Sequence, residues 1–371
     1  LSRIPKDRLP RPFTVPFTTP PVLAPVRSDA TTDYYEITQA STQLEIIPGY
    51  RTEVFAYNGT VPGPTIVATK GRRAVVRQIN RLPGAHPTLG YVPWTSTHLH
   101  GSASLPQFDG YASDITQPGQ WKDYVYPNTQ PARTLWYHDH GVGHTAENVY
   151  SGLAAQYVLL DPQERALPLP KGRYDVPLLL ADIALAEIGA LFYDDNLHSR
   201  FTGDINLVNG RPWPVMRVER RKYRFRILNG SVGRGYRLTL STGEPMTVIG
   251  TDGGLMAAPQ PVTQLRLGMG ERAEVVIDFA QHPIGRRIEL RNLGVENSVD
   301  YDNTHKVMAF DVVADSTEPG NNTVPDVLNP NPVGMDLTPA MARRTRKFRV
   351  KKDGPIWTIA DTTWEDVVES G

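Results

Sequence analysis

The sequence predicts an all-β protein of the sandwich type, because turn-forming residues are abundant and short strand-like runs recur along the chain. Its 371 residues include 33 prolines and 31 glycines, which favour tight turns between elements. Strand-like runs include Ala74 to Ile79, Tyr223 to Leu228 and Glu274 to Phe279. The amphipathic period of a helix is mostly missing, and strands do not alternate regularly with helices. We therefore expect packed, largely antiparallel sheets.

An internal repeat organises the chain, whose length exceeds what one hydrophobic core usually serves. The Asn-Gly turn at Asn58, with prolines and an apolar strand after it, recurs 151 residues later at Asn209. A further 151 residues lead to Ala360, where an apolar strand again runs into a turn. We expect a third sandwich to be only begun when the chain ends. The predicted regions are an extended N-terminal arm (1–31), two sandwiches (32–162 and 163–313), an exposed linker (314–345) and the start of a third sandwich (346–371).

Charge and hydropathy narrow the classes of partner. The 39 basic and 39 acidic residues cancel, which removes the electrostatic footprint of a nucleic-acid-binding protein. No apolar run is long enough to span a bilayer.

The N-terminus has no apolar signal core, and we expect a secreted protein whose signal peptide has already been removed. Glycosylation triplets start at Asn58, Asn229 and Asn321; we expect only Asn321 to be exposed, because the other two lie in apolar, turn-like settings.

Two histidine pairs carry the chemistry of this sequence. His98 and His100 flank Leu99, and His138 and His140 flank Asp139, in a chain that has only nine histidines and no cysteine. Random placement of the histidines would give only about 0.2 such triplets. Side chains at positions i and i+2 of a strand project from the same face, so two neighbouring strands would bring four imidazoles together. The pattern predicts a metal site.

The pairs alone leave other metalloproteins open. A cupin-type enzyme also uses two histidines in this spacing, but it would place a Glu ligand soon afterwards, and no Glu lies between Gly101 and Gly110. A zinc hydrolase needs three protein ligands and an open water position, which four histidines can mimic. A copper-storing or scaffold protein is the non-enzyme alternative.

Longer motifs resemble the first cupredoxin domain of three-domain multicopper oxidases, and most closely the bilirubin oxidase branch, which is similar to the spore-coat laccases. The resemblance rests on segments around both histidine pairs and extends over nearly the whole chain. The segments are Ser96 to Gly101, Phe108 to Tyr111, Leu135 to His140, Asn148 to Leu153, Val208 to Pro214, Arg221 to Arg226, Asp252 to Leu255, Glu271-Arg272 and Ile288 to Gly294. It implies tandem cupredoxin-like Greek-key sandwiches. It also implies an oxidase that takes electrons from bilirubin, phenols or similar aromatic donors and reduces dioxygen to water.

The resemblance also implies roles for individual residues. His98 resembles a ligand of the type 2 copper, while His100, His138 and His140 resemble ligands of the type 3 pair, so these four form half of a trinuclear cluster. Asp109 matches an acidic residue that helps to deliver protons to bound oxygen. Asp139 is expected to have a structural role on the opposite strand face. The remaining histidines match no ligand motif: His86, His144, His198, His282 and His305.

The absence of cysteine limits what the chain can do alone. Type 1 copper in this family requires a cysteine thiolate and two histidines, so electrons have no entry site here. We expect a C-terminal third-domain polypeptide to supply that cysteine and the remaining histidines. This chain alone is expected to be inactive, and the alternative is a two-domain copper-binding scaffold or inactive fragment.

Overall fold

The first 166 residues build an arm and a β-sandwich. The computed structural model describes residues 2–194, 201–296, 298–363 and 366. In this part of the chain the strands are β1 (Arg27–Ser28), β2 (Thr32–Leu44), β3 (Thr52–Tyr57), β4 (Ile66–Thr69), β5 (Arg73–Arg81), β6 (Thr97–His100), β7 (Trp121–Tyr126), β8 (Arg133–Asp139) and β9 (Ala154–Leu160). Two short helices follow β8 and β9, namely α1 (Thr145–Tyr150) and α2 (Pro162–Ala166). One sheet has the order β1-β2-β5-β7, with β3 also paired to β2, and the other has the order β4-β9-β8-β6.

A second sandwich follows with larger sheets. Its described strands are β10 (Asp175–Ile183), β11 (Ile205–Val208), β12 (Arg211–Pro212), β13 (Val215–Arg220), β14 (Lys222–Asn229), β15 (Tyr236–Leu240), β16 (Met246–Thr251), β17 (Gly254–Val262), β18 (Leu265–Leu267), β19 (Arg272–Asp278), β20 (Arg287–Asn292) and β21 (Lys306–Asp315). One sheet has the order β12-β11-β10-β14-β19-β16-β17 and the other β13-β21-β20-β15-β18. The all-β prediction is confirmed, because alternation of apolar residues closes a separate core between the sheets of each sandwich.

The internal repeat is visible in the backbone. Asn58 and Asn209 both adopt left-handed conformations, with φ of 50° and 49°. Each side-chain oxygen accepts a backbone N–H from a neighbouring strand, that of Thr38 for Asn58 and that of Leu179 for Asn209, both at 2.8 Å. Asn tolerates this conformation better than most residues, because its short amide can bond to nearby backbone. The same turn chemistry therefore opens the corresponding loop in both sandwiches.

The arm and both sandwiches share a third apolar cluster. Ile4 and Phe13 come from the arm, Ile47 from the first sandwich, and Leu207 and Trp213 from the second, and all are buried. The arm is held by backbone bonds as well, including Phe13 N–H to the Trp213 carbonyl at 2.8 Å. Burial of apolar surface on this scale fixes the two sandwiches relative to each other.

Residues 1–330 form one compact unit and residues 331–371 another. The predicted linker, 314–345, is thus divided, because its first part packs on the second sandwich. Leu328 is buried, and the buried guanidinium of Arg221 donates to the carbonyls of Glu318, Gly320 and Asn321. The smaller unit contains the antiparallel hairpin of β22 (Val350–Asp353) and β23 (Ile356–Ile359), followed by a turn in which Ala360 has a φ of 52°.

Two further expectations concern membrane-spanning segments and the exposure of the glycosylation triplets. Among the described residues, no helix is both long and apolar enough to cross a membrane. Asn321 is exposed and Asn229 is buried, as expected, but the expectation for Asn58 is wrong, since the residue lies at an exposed hairpin turn. Its side chain is nevertheless engaged, because its amide nitrogen donates to the Glu36 carbonyl at 3.3 Å.

Candidate metal centre

Strands β6 and β8 bring the four predicted histidines together. The two strands pair antiparallel, with His98 directly opposite His138. Because successive side chains alternate between faces, Leu99 and Tyr137 point into the core of the first sandwich while the histidines point to the other side. His140 follows the end of β8, where its backbone N–H donates to the Ser96 carbonyl at 2.7 Å.

The imidazoles form a tight group. The ring centroid of His98 lies 5.4 Å from each of the ring centroids of His100, His138 and His140. One ligand-type nitrogen from each of His98, His100 and His138 lies within 4.8 Å of the others. His140 is more exposed and stands outside this triplet, with its ring centroid 6.0 Å from that of His138. The geometry therefore joins three predicted ligands closely and places the fourth at the rim.

Backbone carbonyls set the orientation of two rings. His98 Nδ1 lies 2.5 Å from the carbonyl oxygen of Asp109, and His138 Nδ1 lies 2.7 Å from the carbonyl oxygen of Asp139. A carbonyl can only accept, so both Nδ1 atoms carry the proton and both Nε2 atoms present a lone pair. This arrangement, in which the second ring nitrogen is anchored, is typical of metal-binding histidines.

His100 faces the group through its other nitrogen. Its Nδ1 lies 3.2 Å from His138 Nε2. Trp136 stacks beside both rings, with centroid distances of 5.2 Å to His100 and 4.1 Å to His138. Since imidazole nitrogens bind a transition-metal ion at about 2.0 Å, as in zinc sites, two nitrogens at this separation fit one ion between them.

The backbone carbonyl of Asp109 lies closer to His98 than its carboxylate does. Its carboxylate Oδ1 is 3.6 Å from His98 Nδ1, and the side chain is 45% exposed. The next residue, Gly110, has a φ of 75°, and a β-carbon there would lie 2.5 Å from the Thr97 carbonyl oxygen. Only glycine lets this turn press against β6, so the Asp-Gly sequence fixes the carbonyl that orients His98.

Asp139 lies on the opposite strand face and ties the neighbouring loops together. The buried carboxylate accepts from the backbone N–H groups of Ser96 at 2.8 Å and Gly141 at 3.1 Å, and from the side-chain amide of Asn148 at 3.0 Å. Burial raises its pKa to about 7, although these donors lower it. Asp139 thus holds the segments just before His98 and just after His140.

The other histidines lie elsewhere. His144 stacks on Tyr91 with a centroid distance of 3.8 Å, and His86 Nε2 lies 3.1 Å from Ser151 Oγ. His282 pairs with Glu244 at 2.9 Å, and His305 is exposed. His198 lies outside the described residues. Within the described chain, none of the four belongs to the triplet of close ligand atoms.

Comparisons with known proteins identify the family. Family models described as multicopper oxidase match residues 38–164 and 191–286. The chain is 32% identical to a laccase of Bacillus subtilis over an alignment of length 393, which covers 94% of the chain and 75% of the relative. The chain belongs to the multicopper oxidase family.

Further relatives show how much of such a protein the chain represents. It is 41% identical to a bilirubin oxidase of Albifimbria verrucaria over 376 residues, covering 96% of the chain but 63% of that protein. The multicopper oxidase McoA of Aquifex aeolicus superposes with a TM-score of 0.77 at 29% identity, covering 94% of the chain and 76% of McoA. The chain thus spans less than two thirds of the bilirubin oxidase that it matches.

The imidazole group fits the copper that multicopper oxidases bind. Burial, and to a smaller extent Arg272, lower the pKa of His100 to about 4. Burial also lowers the pKa of His138 well below its usual value, and it lowers that of His98 more than the hydrogen bond to Asp109 raises it. These rings are neutral at pH 7, and neutral imidazole nitrogen is a suitable copper ligand.

The second sandwich contributes residues that sequence reasoning missed. Gly270 lies against His100, and Arg272 reaches the backbone of β8. Glu271-Arg272 is one of the motifs that resemble the family, but nothing local in it indicates a role at the copper site. The contact depends on how the two sandwiches pack.

Proposed function

We propose that this chain is the N-terminal, two-sandwich portion of a multicopper oxidase that oxidises bilirubin, phenols or similar aromatic donors and reduces dioxygen to water. The proposal rests on the triplet of His98, His100 and His138, of which His138 is buried and the other two are half-buried, and whose ligand nitrogens lie within 4.8 Å of one another. The relatives named bilirubin oxidase and laccase support the class of donor.

Each site residue has a distinct part in this proposal. His98 would hold the type 2 copper, while His100, His138 and His140 would hold the type 3 pair. Copper supplies one-electron cycling between Cu(I) and Cu(II) when it is bound. The Asp109 and Asp139 carbonyls keep two imidazoles in the ligand tautomer. The half-exposed Asp109 carboxylate, whose Oδ1 lies 3.6 Å from His98 Nδ1, would help to deliver protons to bound oxygen.

A second polypeptide segment is part of the proposal. The sequence has no cysteine, so it cannot provide the thiolate of a type 1 copper. We propose that a third cupredoxin domain supplies that cysteine and further histidines. The same observation favours the alternative function, a copper-binding scaffold without oxidase activity. We also propose an extracellular location, which the exposed glycosylation triplet at Asn321 supports.

Copper analysis together with oxygen uptake tests the proposal. The purified chain should bind copper, show no intense thiolate-to-copper absorption band, and consume no oxygen with a phenolic donor. Adding a third cupredoxin domain that carries the cysteine and the further histidines should produce both the band and oxygen uptake. His98→Ala should lose copper, whereas His282→Ala should keep it, because His282 pairs with Glu244 outside the site.

Three results would contradict parts of this proposal. Equal copper content in His98→Ala and the parent chain would overturn the ligand assignment. Oxygen uptake by the chain alone would show that no third domain is needed. Copper binding without oxygen uptake after addition of the third domain would favour the scaffold alternative.

A further inference from the structure

A loop of the second sandwich covers the outer edge of His100. It connects β18 to β19 and includes buried Gly270, whose φ is 78°. A β-carbon at Gly270 would lie 3.1 Å from His100 Cε1 and 3.5 Å from His100 Nε2. The loop is anchored, because Gly270 N–H donates to the Asn229 carbonyl at 2.8 Å. Backbone of the second sandwich is therefore in close contact with a predicted copper ligand of the first.

Arg272, two residues further on, joins this loop to β8 and fills space beside the residue that follows β6. Its Nε donates to the Thr134 carbonyl of β8 at 3.0 Å, and its Nη1 donates to the Gly270 carbonyl at 3.0 Å. A β-carbon at Gly101, the residue after His100, would lie 2.3 Å from Arg272 Nη2. The guanidinium thus occupies the space that Gly101 leaves open.

Arg272 is a buried charge that its hydrogen bonds hold in one place. Its side chain is 3% exposed, and its ion-pair partner Asp252, at 2.9 Å, is half exposed. Removing a charge from water costs several kcal/mol, and this is offset only where the geometry and the hydrogen bonds are good. The two carbonyl bonds provide that geometry, and they fix the loop against His100.

We infer that Gly270 and Arg272 are positioning residues for copper binding by His100, an inference that rests on the proposed function. The loop closes the Nε2 side of the ring, and Arg272 keeps the loop in register with β8. The Nδ1 atom is left facing His138 Nε2 at 3.2 Å. The second sandwich is therefore more than a scaffold, because it sets the orientation of a ligand that it does not itself supply.

Two pairs of variants test this inference through copper affinity. Gly270→Ala adds a methyl group against His100, while Gly243→Ala is its control, since Gly243 has a similar φ of 76° but nothing within 4 Å of a β-carbon. Arg272→Met removes the guanidinium that bonds to the Thr134 and Gly270 carbonyls. Arg221→Met is its control, because Arg221 is also a buried arginine that donates to backbone carbonyls.

The measurements are competition with a chromophoric copper chelator, the EPR spectrum of bound Cu(II), and thermal unfolding of the copper-free protein. Gly270→Ala and Arg272→Met should each weaken copper binding by about tenfold or more, the range found when groups supporting a ligand are removed. Both should change the EPR spectrum. Gly243→Ala and Arg221→Met should keep the parental affinity and spectrum, whatever their unfolding temperatures.

The outcomes separate this inference from the proposed function. If Gly270→Ala and Arg272→Met bind copper like their controls while His100→Ala does not, the positioning role is wrong and the copper site stands. If His100→Ala binds copper as the parent does, the proposed function itself is wrong. If Arg272→Met does not fold, the comparison of Gly270→Ala with Gly243→Ala decides.

Discussion

Two clusters of polar side chains lie along one face of strand β8, and they differ in how their polar groups are paired. Thr134, Trp136 and His138 alternate along the strand and share this face. At the Thr134 end lies the ion network, which comprises Arg224, Arg226, Glu164, Asp175 and Glu274. At the His138 end lies the imidazole group of His98, His100, His138 and His140.

In the ion network, each arginine is paired with carboxylates of the network itself. Glu274 Oε1 accepts from Arg226 at 2.9 Å and from Thr134 at 2.8 Å, while Oε2 accepts from Arg224. Burial by itself raises the pKa of Glu274, but the two arginines lower it by a larger amount, so that the pKa is about 2. In the imidazole group, ligand-type nitrogens of His98, His100 and His138 instead lie within 4.8 Å of one another, an arrangement that a bound cation would complete. A closed network stabilises the fold, whereas an open one provides a site.

Of the predicted variants, Glu274→Ala should have the largest effect, and this effect is on the free energy of unfolding. It leaves Arg224 and Arg226 buried without their shared partner, so the free energy of unfolding should fall by about 3–5 kcal/mol. Urea unfolding of the copper-free chain measures this. The control is Glu296→Ala, which removes an exposed, solvent-screened pair with Arg266 and should leave the free energy of unfolding nearly unchanged. Similar losses in the two variants would show that the two arginines do not depend on Glu274 as described.

Sequence patterns predicted the imidazole group and missed the ion network, for a physical reason. Two histidines at i and i+2 on each of two strands must share a face, so their convergence follows once the strands pair. Arg224, Arg226 and Glu274 also alternate along strands, but that pattern is typical of a solvent-facing surface. Their burial depends on the packing of the first sandwich against the second, which no local signal encodes.

Other features also depended on tertiary contacts. The position of Gly270 beside His100 follows from the packing of the sandwiches, as does the contact of Arg272 with β8. The stretch after β21 is rich in Pro, Asn and Gly and is largely exposed, and Arg221 binds three of its carbonyls. A buried donor far away in sequence can order a segment whose own composition favours exposure.

Copper should stabilise the fold only through the imidazole group. At a free copper concentration one hundred times the dissociation constant, the free energy of unfolding should rise by about 2.7 kcal/mol. His138→Ala should lose most of this increment, since it removes a central ligand nitrogen, while His282→Ala should retain it. Urea unfolding with and without copper measures the increment in each variant. An equal increment in His138→Ala would place the stabilising copper elsewhere.

Asp109→Asn should have the smallest effect and separates the two functions of that residue. The backbone carbonyl, rather than the side chain, accepts the hydrogen bond from His98 Nδ1–H, and the carboxylate is half exposed. The copper-dependent increment should therefore stay within about 0.5 kcal/mol of the parental value. Gly110→Ala should reduce the increment far more, because its new methyl group would collide with the Thr97 carbonyl and displace the turn. If Asp109→Asn lost copper while Gly110→Ala kept it, the carboxylate and not the carbonyl would be what prepares His98 for the metal.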